Sequence, residues 1–176
     1  MSRLDAGLER LRLWDSALCV RFNGALRIAP VSRAFRIVSR LGDGVFWYSL
    51  MLALLATGGA AAFGPVARMA GTGLVCTLIY KWLKSKTSRP RPFAVENAVR
   101  AGADPLDPFS FPSGHTLHAV AFSMVAIAFY PALAWLLVPF TLLVAASRVV
   151  LGLHYPSDVL AGAALGAVIA LAGLAF

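Results

Sequence analysis

Charge is scarce in this sequence. Only 14% of its 176 residues are Asp, Glu, Lys or Arg, and only eight are acidic, whereas a soluble domain carries about a quarter charged residues. Hydrophobic residues make up 59% of the chain and the mean hydropathy is +0.75, more than a water-facing surface accommodates. The composition excludes an ordinary soluble domain and marks a membrane protein. Cysteine is also sparse: Cys19 lies near the amino terminus and Cys76 inside an apolar run. Both read as structural free thiols, and neither reports a redox compartment. No secretory signal peptide is visible, because Arg and acidic residues interrupt the positions where a continuous apolar core is required. The first apolar span is therefore expected to stay in the mature chain as an anchor. Neither an internal repeat nor a low-complexity tail is present.

What the chain does carry is a net charge of +8. Its basic residues alternate with membrane-length apolar runs instead of gathering on one soluble face, so nucleic acid is not an expected partner. Anionic lipid, phosphate head groups or topology signals account for them. In residues 2–28, Leu4, Leu8, Leu11, Trp14, Leu18 and Phe22 recur at three-and-four spacing, with Arg3, Glu9, Arg10, Arg12 and Arg21 on the other face. This pattern predicts an amphipathic helix lying in the membrane interface, a helix packed on a partner protein being the alternative.

A basic turn from Arg33 to Arg40 leads through Gly42-Asp43-Gly44 into the first span, residues 44–62, with Phe46, Trp47 and Tyr48 read as an aromatic belt. The second span runs from Val66 to Leu83 and ends in KWLKSKTSRPRP, where Pro90 and Pro92 force an extended chain. Residues 93–111 form a polar loop read as a lid over the site or as a solvated connector. Ser113 caps a third span ending at Tyr130; the fourth covers 132–151, and Pro156 opens a fifth that continues to Phe176. Gly162, Gly166 and Gly173 in that last span favour close helix packing. The expected fold is therefore all-α, a single polytopic membrane domain of about five transmembrane helices plus the interfacial amino-terminal helix.

Counting crossings places three polar clusters on one side of the membrane: Lys84 to Arg91, Ser113-Gly114-His115, and Arg148 with His154 and Asp158. Charged groups beside apolar spans are costly and face a polar cavity with a function. Lys84, Arg91 and Arg148 supply three cations, two of them planar forks suited to phosphate oxygens. Gly114 opens a helix whose free N–H groups favour an anion. The two imidazoles then admit catalysis, one attacking the held phosphoryl group and the other protonating the departing oxygen, with Asp158 orienting His154. His118, one turn after His115, reads as structural or gating. A zinc site built from His115, His118, His154 and Asp158 is the competing reading, but a metal does not require three further cations around it. No metal and no cofactor are expected.

These residues resemble the type-2 phosphatidic acid phosphatase superfamily, whose three-part signature is K-x6-R-P, P-S-G-H and S-R-x5-H-x3-D. Here the parts are Lys84 to Arg91-Pro92, Pro112-Ser113-Gly114-His115, and Ser147-Arg148 through His154 to Asp158, in that order over about 75 residues. The resemblance implies that His154 is the nucleophile that becomes phosphorylated, oriented by Asp158, with His115 as acid for the leaving group and then base for water. Lys84, Arg91, Ser113, Gly114 and Arg148 would stabilise five-coordinate phosphorus without a metal. Many members have six spans; the five found here are similar to the short bacterial diphosphate phosphatases.

The expected function is thus removal of a terminal phosphate from a membrane lipid, with undecaprenyl diphosphate the first choice and phosphatidic acid or phosphatidylglycerophosphate the alternatives. A lipid-phosphate transporter or binding protein without chemistry is the alternative of another class. The bacterial inner membrane is the expected location. Of 16 Lys and Arg residues only Arg68 falls on the far side, which points the site to the cytoplasm, whereas bacterial relatives mostly face the periplasm; the face stays open. No oligomeric state is assigned.

Overall fold

The structure, a computed structural model, describes residues 3–175, with side chains from Asp5 onward. Ser2, Phe176 and the Arg3 and Leu4 side chains, which belong to segments delimited above, lie outside the described residues. Among the described residues eight α-helices follow one another: α1 (Arg3–Asn23), α2 (Ala29–Arg40), α3 (Phe46–Gly58), α4 (Phe63–Thr87), α5 (Pro92–Val95), α6 (Gly114–Phe129), α7 (Ala134–Val150) and α8 (Pro156–Ala175). Among the described residues there is no strand, only one isolated bridge between Pro90 and Phe109. Three stretches, Ala29–Thr87, Pro131–Val150 and Pro156–Ala175, are long and apolar enough to cross a membrane, and α6 is a shorter apolar helix. The chain is an all-α integral membrane bundle.

Helix α6 forms the centre of the bundle. Leu117, Ala119, Ala121, Phe122, Val125 and Ala126 on it are buried, and it packs against α8, α4 and α7. Its contact with α8 is backbone to backbone: a Cβ on Gly162 would lie 2.6 Å from the Ser113 carbonyl oxygen, and one on Gly166 would lie 2.4 Å from that of Leu117. Lipid tails are as apolar as leucine, so helices gain little from hydrophobic burial and associate through such close packing. At the opposite end Arg68 donates from Nη1 to the Gly173 carbonyl at 2.9 Å, satisfying an orphan acceptor near the end of α8.

Helix α3 opens at Phe46, and a kink within the π-helical turn Leu41–Val45 separates it from α2. Gly44 takes φ +130° there, a value side-chain-bearing residues rarely adopt. One expectation needs correction: Phe46, Trp47 and Tyr48 do not form a belt. Successive helical residues point about 100° apart, so Trp47 is buried at 1% exposure and Phe46 stacks on Phe140 with centroids 3.9 Å apart, leaving Tyr48 outward.

Residues 93–111 are tied to the bundle by hydrogen bonds. Asn23 Nδ2 donates to the Arg100 carbonyl at 2.9 Å and its Oδ1 accepts from the Arg100 N–H at 2.8 Å. The Gly102 N–H reaches the Leu151 carbonyl at 2.9 Å, and Arg36 Nε donates to the Gly102 carbonyl at 2.7 Å. The segment is strapped across one end of the bundle. Helix α1 lies at the same end and packs on α7 and α8 through Asp15, Cys19 and Asn23, all buried. Leu8, Leu11, Trp14 and Phe22 of its apolar stripe stay exposed, free to meet lipid.

Candidate active site

Lys84 lies in the last turn of α4, and the two prolines that follow make the chain fold back so that Arg91 approaches it. Both are buried. Lys84 Nζ donates to both Asp107 carboxylate oxygens, at 2.8 and 2.7 Å, and to the Phe109 carbonyl at 3.1 Å. Arg91 donates from Nη2 to Asp107 Oδ1 at 3.2 Å, from Nε to the Asp107 carbonyl at 2.9 Å, and from Nη1 to the Leu153 carbonyl at 2.8 Å. Burial pushes the Asp107 carboxyl up, but the Lys84 ammonium and the Arg91 guanidinium outweigh it and hold the group below the ordinary carboxylate value. Asp107 therefore sits as an anion between two of the three expected phosphate-binding cations.

The third cation, Arg148, ends α7. It is 2% exposed and donates from Nη1 to Ser39 Oγ, while its buried Nε has no hydrogen-bond partner among the described residues. Ser113 caps α6, its Oγ accepting from the Thr116 N–H, and Gly114 follows as the first helical residue. The Phe111-Pro112 peptide before this turn is cis.

His154 is set by the turn between α7 and α8. The N–H groups of Leu153 and His154 both donate to the Arg148 carbonyl, at 3.0 and 3.1 Å. Gly152 makes the turn possible with φ +70°, where a Cβ would lie 2.7 Å from the Arg100 carbonyl oxygen. Nε2 of His154 lies 3.3 Å from Arg91 Nη1. An arginine can only donate, so Nε2 holds the lone pair and Nδ1 carries the proton. Burial, with Arg148, Arg91 and Lys84 close by, holds this imidazole well below its ordinary pKa, so it is neutral.

The Nδ1–H faces Asp158 Oδ2 at 3.8 Å, too long for the hydrogen bond expected from the sequence. Asp158 is otherwise engaged: Oδ2 accepts from the Tyr155 N–H at 2.8 Å and Oδ1 from Arg89 Nη1 at 2.6 Å. His115, in the first turn of α6, pairs through Nε2 with Asp43 of the π-helical turn. His118 bridges α6 to α4, with Nδ1 2.8 Å from the Gly114 carbonyl and Nε2 3.1 Å from Thr77 Oγ1. The three histidines thus have separate partners. Among the described residues, no group of three or more His, Cys, Asp or Glu side chains is placed to hold a metal.

Lys84, Arg91, Gly114, His115, Arg148 and His154 line one cavity of about 690 Å³, together with Asp43, Asp107 and His118. Ser113 and Asp158 lie behind its wall, both fully buried. Away from the cations the cavity runs between α3 and α4 past Met51, Leu52, Leu74 and Phe122. It has a charged head and an apolar tail. Sequence reasoning missed Asp43, Asp107, Arg89 and Asp15. Their signal was rarity: each acid is one of only eight, and Arg89 sits two residues before a motif arginine.

The PAP2 superfamily model matches residues 62–176, and the chain belongs to that superfamily. Over 98 residues it is 34% identical to the bacitracin transport permease protein BcrC of Bacillus licheniformis, covering 56% of this chain and 48% of that protein. The chain thus spans about half the length of this curated relative. Two solved structures share the fold. The transmembrane PAP2-type phosphatidylglycerolphosphate phosphatase from Bacillus subtilis superposes with TM-score 0.77 at 23% identity, covering 95% of this chain and 86% of the other. Aquifex aeolicus LpxE gives 0.76 at 25% identity, with 96% and 94% covered. Helices α1 to α3 and the π-helical turn between α2 and α3, which together carry Asp15 and Asp43, fall outside the residues matched by the family model.

Proposed function

We propose that this protein is a lipid phosphatase that hydrolyses the terminal phosphate of a lipid phosphate or diphosphate through a phosphohistidine on His154. The observation that carries the reading is the shape of the larger cavity. Three buried cations and two imidazoles close one end, and an apolar cleft between membrane helices leads away from them. A soluble phosphate ester has no use for the cleft, whereas a lipid entering from the bilayer fills both ends.

The chemistry follows from the side chains. Lys84, Arg91, Arg148 and the amino terminus of α6 hold the non-bridging oxygens. His154 Nε2 attacks phosphorus as the bond to the leaving oxygen breaks, and His115 gives that oxygen a proton. Water then gives a proton to His115 and attacks phosphorus; the N–P bond breaks and inorganic phosphate departs. The Asp158 carboxylate offsets the positive charge that His154 acquires on phosphorylation. A positioned general acid contributes about 10²–10⁴ in rate and a preorganised oxyanion donor about 3–4 kcal/mol, so this set supplies a large share of the acceleration phosphate esters need.

Undecaprenyl diphosphate is the proposed substrate, ahead of phosphatidic acid and phosphatidylglycerophosphate. A second cavity of about 490 Å³ shares Asp43, Leu106, His115 and Arg148 with the first and adds Arg36, Arg40 and Asp104. Its three guanidiniums outnumber its two carboxylates, although Arg40 is paired with Asp43 and Arg36 donates to the Gly102 carbonyl, and it offers room for the second phosphate beside His115. The bacterial inner membrane is the corresponding location. The Bacillus licheniformis relative is named a bacitracin transport permease protein, and a second reading, a membrane binding or transport protein that holds a lipid phosphate without chemistry, needs the cations but not the His154–Asp158 pair.

Phosphate release by the purified protein in detergent micelles, offered the three lipids in parallel with His154→Asn as control, tests both. Release that is strongest with the diphosphate and absent in the variant supports the reading. Binding of the lipids without release overturns it in favour of transport.

A further inference from the structure

Two buried carboxylates lie behind the nucleophile, and one guanidinium joins them. Asp158 and Asp15 are both fully buried. Arg89 donates from Nη1 to Asp158 Oδ1 at 2.6 Å and to Ser157 Oγ at 2.8 Å, and from Nη2 to Asp15 Oδ2 at 2.8 Å. Its guanidinium carbon rests 4.1 Å above the Tyr155 ring. Asp15 in turn accepts the Ser157 N–H on Oδ1 at 2.9 Å and the Ser157 hydroxyl on Oδ2. Four residues along α1, Cys19 Sγ lies 3.7 Å from the carbonyl oxygen of His154 itself.

A buried carboxylate stays ionised only when a partner compensates the lost hydration. Asp158 must be ionised to offset charge on His154, and Arg89 is the cation that touches it. A guanidinium is a rigid fork whose two ends can serve different acceptors; here the second end is anchored by Asp15. Asp15 also grips the first turn of α8 through Ser157, the residue beside Asp158. Helix α1 therefore fixes both the charge partner of Asp158 and the backbone that carries it.

We propose that Arg89 and Asp15 are positioning residues that hold Asp158 ionised and in register with His154. The inference rests on the phosphatase reading above. It predicts that their loss slows chemistry more than it weakens phosphate binding, since Lys84, Arg91 and Arg148 remain in place.

The test measures kcat, KM and the melting temperature of Arg89→Gln, Arg89→Lys, Asp15→Asn and Asn23→Ala in the same micelles. Asn23 is the control: it ties α1 to the Val150 and Arg100 carbonyls, both at 2.9 Å, with no link to Asp158. The expected result is a fall in kcat of about 10- to 100-fold in Arg89→Gln, less than removal of a general acid or base costs, with KM changed little. Asp15→Asn falls in the same direction by a smaller factor. Arg89→Lys recovers part of the loss, because an ammonium keeps the charge but not the fork. Asn23→Ala lowers the melting temperature while keeping kcat per folded molecule. Wild-type kcat in Arg89→Gln and Asp15→Asn, with melting lowered as in Asn23→Ala, would reduce the network to a structural clamp and overturn the proposal. A wild-type protein without turnover on any of the three lipids fails at the earlier step and overturns the phosphatase reading itself.

Discussion

Replacing Asp107 by Asn should make the site bind phosphate more tightly. The Asp107 carboxylate contacts Lys84 Nζ at 2.7 Å and Arg91 Nη2 at 3.2 Å, so an incoming phosphate must displace it from two of its own ligands. A hydrogen bond to a charged group contributes about 1.5–3 kcal/mol. The Asp107 side chain is 31% exposed, which weakens the pair through solvent screening, and Asn retains one acceptor oxygen. The net gain for phosphate is then about 1–2 kcal/mol, a factor of roughly 5–30 in affinity. Orthovanadate and inorganic phosphate are suitable probes, with affinity read from ligand-dependent thermal shift in detergent, which requires no turnover.

The same substitution has a pH signature. A carboxyl whose folded pKa is depressed contributes stability above its unfolded value of about 3.9 and loses it as pH falls through the folded value. Wild-type stability should therefore drop across that acid window by an increment that Asp107→Asn lacks, the variant being less stable already at neutral pH. Unchanged or weaker vanadate binding by Asp107→Asn would refute the competition and make Asp107 a support for the two cations.

Arg148→Lys should lose about 10²–10³ in kcat, the cost of one oxyanion donor, because a point charge cannot replace the fork; full activity in a phosphate-release assay would show that only charge matters there. EDTA should leave turnover unchanged, and a loss restored by zinc would return the histidines to a metal site. Gly166→Ala should destabilise the bundle by about 1–3 kcal/mol through overpacking, since its Cβ would press on the Leu117 carbonyl oxygen at 2.4 Å. An unaltered melting temperature would contradict the close α6–α8 contact.

The helices and the residues lining the cavity were legible in the sequence because their signals are local. Apolar runs, Pro156 at a helix start, Ser113 at a cap and the three short motifs each declare themselves within a few residues. The acidic partners were not legible, because each acts across a tertiary distance. Asp43 meets His115 from 72 positions away and Asp15 meets Ser157 from 142. Gly42-Asp43-Gly44 was read only as the lead into a span; the kink at Gly44 does separate α2 from α3, and the same turn brings Asp43 to His115 of α6. The spacing of His154 and Asp158 suggested a direct hydrogen bond, but Arg89 and the Tyr155 N–H take the carboxylate oxygens. Helix α1 was recognised by its apolar stripe, yet its buried residues against the bundle are Asp15, Cys19 and Asn23, which lie off that stripe.

The most direct measurement is rapid-quench capture of enzyme-bound phosphate from a lipid substrate radiolabelled on its terminal phosphate. A base-stable, acid-labile label that forms on His154 within the first turnover, and is absent from His154→Asn, is the predicted result. Phosphate release without any enzyme-bound label at the earliest times, or equal labelling of His154→Asn, would contradict His154 as the nucleophile.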